Sequence, residues 1–398
     1  MRHKEKGRKM QKYKTHSKDE MSPYERLMAI LDGRKDVIDR IPACSVVSAY
    51  NIEGMQVFDA YWPDAHKDPE KMAKLGSALH ELAGLENVIV PFELTLEVEA
   101  LGIELEFFEG SIKWPSVRQY WVTDVKQLKI PERPEEMRER GRVPVVCKAL
   151  KILKERYHGK VPVIAAIDFP WQAIGGYVVD TATWYKYVRS QPEKVHEFMK
   201  TLTPLFTEVA IAYFEAGADV VTYREEASSL TNIKPDTFRK FVQPYLKESI
   251  VRARKYGHII LHCCGELWSQ KGGVTLENIS GLIECNPDAL IVEEATPMIE
   301  TRRIANKLKG PRFPIGGNIS AYAVLFEGPV EKIRDRVKRA IESGCDIVNP
   351  GCDIWIQTPT KNVKTMVEAV IEFGSPPPWV KEGMSADEWV PKELRGGA

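Results

Sequence analysis

Short apolar runs alternate with longer amphipathic segments along most of this chain. Eight of the runs are rich in β-branched residues, and each has the length of one buried strand. They cover Ile41 to Val47, Asn87 to Phe92, Val161 to Ile167, Ala218 to Tyr223, His258 to Cys264, Ala289 to Glu294, Phe313 to Asn318 and Asp346 to Cys352. Strands that alternate with helices favour a parallel sheet, because each helix returns the chain to the edge where the next strand begins.

The segments between these runs carry helix start and stop signals. Ser22-Pro23-Tyr24-Glu25 has the form of a capping box with proline at the first helical position, and it predicts the first helix. Further helices are predicted for Pro69 to Leu85, Pro192 to Ala216, Pro235 to Tyr256 and Pro329 to Ser343. Pro244 should kink or split the helix that contains it.

Eight strand and helix units that close on themselves form a (β/α)8 TIM barrel, an α/β fold, here preceded by a helical extension. The barrel domain is predicted to span residues 22–375. Residues from about 102 to 142 depart from the strand and helix rhythm, so we predict an insertion there that covers the barrel mouth. We expect residues 1–21 to be a disordered basic tail and residues 376–398 to be a C-terminal extension.

Composition excludes several classes of protein. With 398 residues, 43% of them apolar, the chain can bury a large core. Lysine plus arginine equals aspartate plus glutamate at 56 each, so no overall charge favours nucleic acid or an anionic membrane. The apolar runs are too short to span a bilayer, and the start of the chain has no apolar signal core. Seven cysteines without framework spacing are typical of free thiols, and we expect a cytoplasmic protein.

The candidate chemistry lies at the ends of two predicted strands. His262 and Cys264 alternate with Cys263 in one run, so an extended backbone places the imidazole and the Cys264 thiol on the same face. Cys352 ends the last run and is the candidate for a third ligand, with Asp353 beside it as a carboxylate that can orient a ligand. Such a set suits zinc and leaves one coordination position free.

Simpler interpretations exist for these residues. A strand histidine and buried free cysteines usually pack in the core, as we expect for Cys44, Cys147, Cys285 and Cys345. Cys352 favours the metal site, because core cysteines have no reason to gather at the carboxyl ends of strands. The pair Glu293 and Glu294 ends the sixth run and offers an oxygen ligand, although a solvated helix start is the alternative.

Longer motifs surround these residues. They include Trp62-Pro63-Asp64-Ala65-His66, His80 to Glu86, Val98 to Gly102, His262-x-Cys264-Gly265, Val292-Glu293-Glu294, Gly317 to Ser320 and Pro350-Gly351-Cys352. Together they resemble the uroporphyrinogen decarboxylase superfamily, and within it the zinc-containing corrinoid methyltransferases typified by the methylcobamide:coenzyme M methyltransferases. The resemblance covers nearly the whole predicted barrel.

The resemblance implies that His262, Cys264 and Cys352 bind Zn2+, with Glu293 as an exchangeable fourth ligand. Glu293, from this role, and Asp353, from its place beside Cys352, are the candidate catalytic residues. The resemblance also implies a corrinoid supplied by a partner protein. The chain has no cobalamin-binding motif of the Asp-x-His-x-x-Gly type. The decarboxylases need N-terminal arginines for a substrate with many carboxylates, whereas this chain has Ile41-Pro42-Ala43-Cys44-Ser45 there, which disfavours decarboxylation.

Two reactions fit a zinc ion held by two thiolates and one imidazole. A thiol such as coenzyme M can lose its proton on the metal and take the methyl group of a methylcorrinoid. Alternatively, the oxygen of a methyl ether binds the metal, and its methyl group passes to the Co(I) corrinoid. A barrel with structural zinc that only holds a corrinoid protein is a third, non-enzymatic alternative.

Departures from the coenzyme M pattern favour the methyl ether. Candidate substrate-binding residues at the predicted mouth are Tyr50, Trp171, Tyr223, Arg224, Tyr322 and Trp355. Their rings suit a methoxylated aromatic compound, and the arginine can clamp its carboxylate. Otherwise the rings pack the loops and the arginine pairs with Glu225 and Glu226. We therefore expect O-demethylation of a methoxylated aromatic compound onto a corrinoid protein, with thiol methylation as the alternative, and a homodimer as the assembly.

Overall fold

The computed structural model describes residues 18–378. Its strands are β1 Val88–Val90, β2 Leu105–Glu106, β3 Ser116–Val117, β4 Val163–Asp168, β5 Val220–Arg224, β6 His258–Cys263, β7 Trp268–Lys271, β8 Val274–Glu277, β9 Ala289–Val292, β10 Ile315–Ile319 and β11 Ile347–Pro350. Its α-helices are α1 Pro23–Leu31, α2 Ile52–Phe58, α3 Asp64–Lys67, α4 Pro69–Gly76, α5 Ala78–Ala83, α6 Leu96–Ala100, α7 Val143–Tyr157, α8 Pro170–Ala173, α9 Thr181–Ser190, α10 Pro192–Glu215, α11 Pro235–Phe241, α12 Gln243–Ala253, α13 Ile279–Glu284, α14 Met298–Lys309, α15 Val330–Glu342 and α16 Thr360–Phe373.

Seven strands form one parallel sheet in the order β1-β4-β5-β6-β9-β10-β11. The segment before β1 closes the ring: Ala43 bridges to Val348 of β11, and its carbonyl accepts a 2.9 Å hydrogen bond from the Glu86 amide next to β1. Helices pack around this ring. The predicted (β/α)8 barrel is confirmed.

The first predicted strand, Ile41 to Val47, is not a regular strand. Pro42 has no amide hydrogen to give to a neighbouring strand. The Cys44 amide still bonds to the Val348 carbonyl at 2.9 Å, but the next two amides bond to side chains, that of Ser45 to Asn87 at 2.8 Å and that of Val46 to Asn349 at 2.8 Å. This segment therefore fills the eighth position of the barrel with little backbone pairing.

Helix boundaries follow the local signals. The capping box at Ser22 and Glu25 is present at the start of α1. Pro244 lies at the start of α12, and the predicted helix is split there into α11 and α12. The predicted helix from Pro69 to Leu85 is broken at Ser77, whose hydroxyl bonds back to the carbonyl of Lys74 at 3.1 Å.

The segment predicted as an insertion holds only the short hairpin of β2 and β3 and two 3-10 turns, Val125–Gln127 and Pro134–Glu139. Residues 1–17 of the predicted tail and 379–398 of the predicted extension lie outside the described residues. Within residues 18–378, no helix has both the length and the apolar composition needed to cross a membrane.

Candidate metal centre

Three side chains converge at the carboxyl ends of two barrel strands. His262 lies on β6, Cys264 follows that strand directly, and Cys352 follows β11. One ligand atom from each lies within 4.8 Å of the others. Strands β9 and β10 separate β6 from β11, so the curvature of the barrel brings the three residues together. The structure thus assembles the three residues that the sequence singled out.

Two glycines allow the loops to approach each other this closely. Gly265 has a φ of +94°, a conformation that side chains rarely adopt, and it turns the chain after Cys264. A Cβ atom on Gly351 would lie 3.0 Å from the backbone nitrogen of Glu294 and 3.1 Å from the Cα of Glu293. Glycine at this position therefore lets the loop of Cys352 lie against the Glu293 backbone.

His262 is prepared for metal binding. Its side chain is 0% exposed, and among the described residues neither ring nitrogen has a hydrogen-bond partner. Burial, helped by the positive charge of Arg224, lowers the pKa of the imidazole to about 3. The ring is therefore neutral at pH 7, and a neutral imidazole has a lone pair to give to a metal.

The two thiols interact with each other. The hydrogen bond and charge of Cys352, together with burial, raise the pKa of Cys264. Two adjacent thiols resist ionisation unless a cation lies between them, and a divalent ion supplies that charge. Two sulfur atoms and one imidazole nitrogen form a donor set for a soft or borderline metal. The residues present therefore fit a metal ion.

An oxygen donor lies beside this set. Glu293 follows β9, and its Oε2 atom is buried without a hydrogen-bond partner among the described residues. Burial, followed by the charge of Glu294, raises the pKa of the Glu293 carboxyl. A nearby cation would offset both burial and the charge of Glu294 and so favour the Glu293 carboxylate. Glu293 therefore suits the role of fourth ligand.

These groups open into one cavity of about 620 Å³. Of the residues that the sequence suggested, the cavity is lined by Tyr50, Cys264, Glu293, Tyr322, Cys352, Asp353 and Trp355. The rings of Tyr322 and Trp355 meet edge to face with centroids 5.4 Å apart, and the two residues are 50% and 47% exposed. The candidate metal centre is thus reached through a mouth with aromatic walls.

Trp171 and Tyr223 lie away from the cavity, contrary to the prediction. Trp171 is 0% exposed and packs against Trp184, with ring centroids 5.2 Å apart. The Tyr223 hydroxyl lies 3.0 Å from the hydroxyl of Ser249 on α12, outside the barrel ring. Neighbouring strand residues face opposite sides, so Tyr223 cannot share the inner face with Arg224.

Arg224 also differs from the prediction of a carboxylate clamp. It lies inside the barrel but outside the cavity lining, with Nε 2.8 Å from Oδ1 of Asp168. Its Nη2 donates to the carbonyl of Glu93 at 2.8 Å. The alternative of an ion pair therefore holds, but the partner is Asp168 and not Glu225 or Glu226.

Asp353 lines the cavity close to this arginine. Burial raises the pKa of its carboxyl, while Arg224 and a hydrogen bond from Ser48 act in the opposite direction. The Asp353 carboxyl is thus tied to the barrel wall next to Cys352, a position from which it can orient the cysteine.

Sequence reasoning missed other wall residues, including Trp62, Lys113, Trp114, Gln172 and Glu226. Glu226 follows β5, and burial raises the pKa of its carboxyl to about 7 against the opposing charge of Arg224. Glu226 could have been predicted as a wall residue, because residues that directly follow barrel strands lie at the mouth of the barrel. Lys113 and Trp114 come from the hairpin between β2 and β3, whose sequence has no periodicity to place it.

The family model for uroporphyrinogen decarboxylase (URO-D) matches residues 22–373. The chain belongs to the URO-D family. Within it, the chain is 34% identical over 352 residues to the methylcobamide:CoM methyltransferase MtaA of Methanosarcina barkeri, covering 87% of this chain and 97% of the relative. It is 30% identical over 358 residues to the methylcobamide:CoM methyltransferase MtbA of Methanosarcina acetivorans, covering 89% and 99%.

A solved structure agrees with these relatives. A methyltransferase from Methanosarcina mazei superimposes with a TM-score of 0.79 at 32% identity, covering 89% of this URO-D chain and 99% of the other. The resemblance to the methyltransferase branch of the family is confirmed. The match extends over the whole barrel, so the relatives share the framework that carries His262, Cys264 and Cys352.

Proposed function

We propose that this URO-D family member is a zinc-dependent methyltransferase that transfers the methyl group of a methylcorrinoid, carried by a partner protein, to a thiol such as coenzyme M. The observation that carries the proposal is the cluster of His262, Cys264 and Cys352, whose two cysteines line an open cavity. A structural zinc site is usually closed by four protein ligands, whereas this one faces a space that can admit a substrate.

Zinc bound there would act as a Lewis acid that lowers the pKa of a thiol and so favours the thiolate at neutral pH. The chain supplies the rest. The neutral imidazole of His262 and the two cysteines fix the position at which the thiol binds. Glu293 can occupy the fourth position without substrate and then give way to the thiol.

The surroundings of the cluster control access. Tyr322, Trp355 and Trp114 line the cavity and reduce its contact with water. A thiolate in such a site is less solvated and therefore a better nucleophile toward a methyl group. The mouth must stay open on one side, because the methylcorrinoid arrives on another protein.

The earlier preference for O-demethylation is not supported. A methoxylated aromatic acid would need aromatic rings and a carboxylate clamp in the cavity, yet Trp171 and Tyr223 lie outside it and Arg224 is paired with Asp168. The relatives named above are CoM methyltransferases. Both points favour the thiol as methyl acceptor.

Methyl transfer to and from free cobalamin tests the proposal. Zinc-loaded full-length protein should convert methylcob(III)alamin to cob(I)alamin under anaerobic conditions only when 2-mercaptoethanesulfonate, which is coenzyme M, is added. The cobalt absorption spectrum follows the reaction. Formation of methylcob(III)alamin from cob(I)alamin and a methoxybenzoate, without thiol activity, would overturn the proposal in favour of O-demethylation. Zinc-loaded protein that is inactive in both assays would favour a corrinoid-protein scaffold.

A further inference from the structure

The charges on the cavity wall are unevenly distributed. The acidic side chains of Glu226, Glu293, Glu294 and Asp353 lie with the metal-binding cysteines. Among the described residues that line the cavity, Lys113 is the only lysine or arginine. A neutral thiol would meet little opposition here, whereas an anionic one would be repelled by the carboxylates unless a cation balanced its charge.

The position of Lys113 is fixed by its neighbour. Lys113 lies between β2 and β3, next to Trp114. The indole nitrogen of Trp114 donates a 3.0 Å hydrogen bond to the hydroxyl of Tyr50, which is 2% exposed in the barrel wall. This bond ties the hairpin to the barrel, so the base of the Lys113 side chain is held at the cavity although the side chain itself is exposed.

The charge of Lys113 is not neutralised within the protein. Its ammonium lies 5.4 Å from the ring centroid of Phe108, a contact that orients a cation without cancelling its charge. No carboxylate of residues 18–378 forms an ion pair with it, in contrast to Arg118 on the same hairpin, which lies 3.7 Å from Glu104. An anion in the cavity would therefore meet an available positive charge.

We propose that Lys113 selects for thiols that carry an acidic group, by binding that group while the sulfur reaches the metal-binding residues. The inference rests on the proposed function and adds to it the residue that determines specificity. It divides recognition between two parts of the chain: the barrel strands hold the sulfur, and the hairpin between β2 and β3 recognises the anion. Both parts line one cavity whose other lining residues are mostly apolar or aromatic, which suits the carbon chain that connects the two groups.

The test compares thiols that differ in charge, with free methylcob(III)alamin as donor and zinc-loaded full-length protein. Lys113→Met keeps the apolar stem and removes the charge, Lys113→Arg keeps the charge, and Arg118→Met is the matched control on the same hairpin. For 2-mercaptoethanesulfonate, Lys113→Met should raise KM about tenfold at low salt with little change in kcat. For uncharged 2-mercaptoethanol, KM should stay within about twofold, and Lys113→Arg and Arg118→Met should behave like the wild type.

Calorimetric binding of 2-mercaptoethanesulfonate gives a readout that does not depend on methyl transfer. Its Kd should rise with KM in Lys113→Met. Equal effects on both thiols, or an unchanged Kd for the sulfonate, would overturn the inference about Lys113 even if methyl transfer is normal. A wild-type protein that transfers methyl groups to no thiol would instead refute the proposed function, and the calorimetry would still decide whether Lys113 binds the sulfonate.

Discussion

The guanidinium of Arg224 and the carboxylate of Asp168 form an ion pair inside the barrel, with Nε 2.8 Å from Oδ1 and side chains 1% and 0% exposed. The two residues occupy paired positions on β5 and β4 and therefore face the same side of the sheet. The charges of Asp353, Glu97 and Glu226 also raise the pKa of this guanidinium. One buried cation thus interacts with carboxylates on the cavity wall, Asp353 and Glu226, and with two outside its lining, Asp168 and Glu97.

Removing this cation should destabilise the barrel strongly. Arg224→Met leaves Asp168 buried without a partner, and breaking a buried pair from one side costs about 3 to 5 kcal/mol. The double variant Arg224→Met with Asp168→Asn should lose less unfolding free energy than the two single variants lose together, because no unpaired charge remains at position 168. Urea denaturation at pH 7 measures the unfolding free energy of all three variants. If the loss in the double variant equals the sum of the two single losses, the two residues are not coupled.

Buried Glu97 should make stability depend on pH. Its side chain is 1% exposed, and burial raises the pKa of its carboxyl from 4.5 to about 7 against the opposing charge of Arg224. Because the folded pKa lies above the unfolded one, the stability present below pH 4.5 is lost as the pH rises through about 7. Glu97→Gln should therefore raise the free energy of unfolding by about 2 to 3 kcal/mol at pH 8 and change it little at pH 4.

Urea denaturation of wild type and Glu97→Gln at several pH values checks this expectation. The exposed Glu53→Gln on α2 is a suitable control and should shift the curve little at any pH. If Glu97→Gln raises the free energy of unfolding equally at pH 4 and pH 8, ionisation of Glu97 is not the origin of the added stability.

Loss of a cysteine ligand should abolish zinc binding but leave the barrel folded. Cys264→Ser removes a sulfur from the metal cluster, whereas Cys263→Ala changes the neighbouring thiol, which is 0% exposed and faces the opposite side of β6. We expect Cys264→Ser to lose bound zinc and methyl transfer with near wild-type circular dichroism, and Cys263→Ala to keep both. Metal analysis decides, and unfolding of Cys264→Ser would instead assign the zinc a structural role.

A methyl group at Gly351 should disturb the proposed metal cluster without replacing any of its donor side chains. The added Cβ would lie 3.0 Å from the nitrogen of Glu294, too close for backbone atoms to avoid without a shift, and Cys352 would move with it. We expect Gly351→Ala to weaken zinc affinity about 10- to 100-fold, as loss of supporting contacts does at other metal sites. Gly176→Ala, with no atom within 4 Å of the new methyl group, is the control and should bind zinc normally.

The sequence predicted that His262, Cys264 and Cys352 converge because the signal is local. Alternation along β6 places His262 and Cys264 on one face, and the barrel fold brings the end of β11 into reach. The same alternation excludes an inward Tyr223 beside an inward Arg224, a conflict that was visible in the sequence. The identity of the ion-pair partner was not visible, because Asp168 is far from Arg224 along the chain.

Other features depend on tertiary contacts that no local pattern reveals. Arg26 and Arg40 are buried with the carboxylate of Glu86, although arginines rarely lie in a core. Lys113 reaches the cavity only because Trp114 is tied to Tyr50 across 64 positions of sequence. In both cases a long-range polar contact overrides what the residue type would suggest.

The placement of the proposed metal ligands along the chain also sets when the cluster can form during synthesis. His262 and Cys264 are synthesised first, and Cys352 comes only after β11, the last strand of the ring. Strands β9 and β10 must pack between β6 and β11 before the three side chains can meet. A nascent chain that has not yet produced β11 therefore holds only part of the donor set. Zinc binding by all three residues would therefore require that β11 has been synthesised and that the ring has closed.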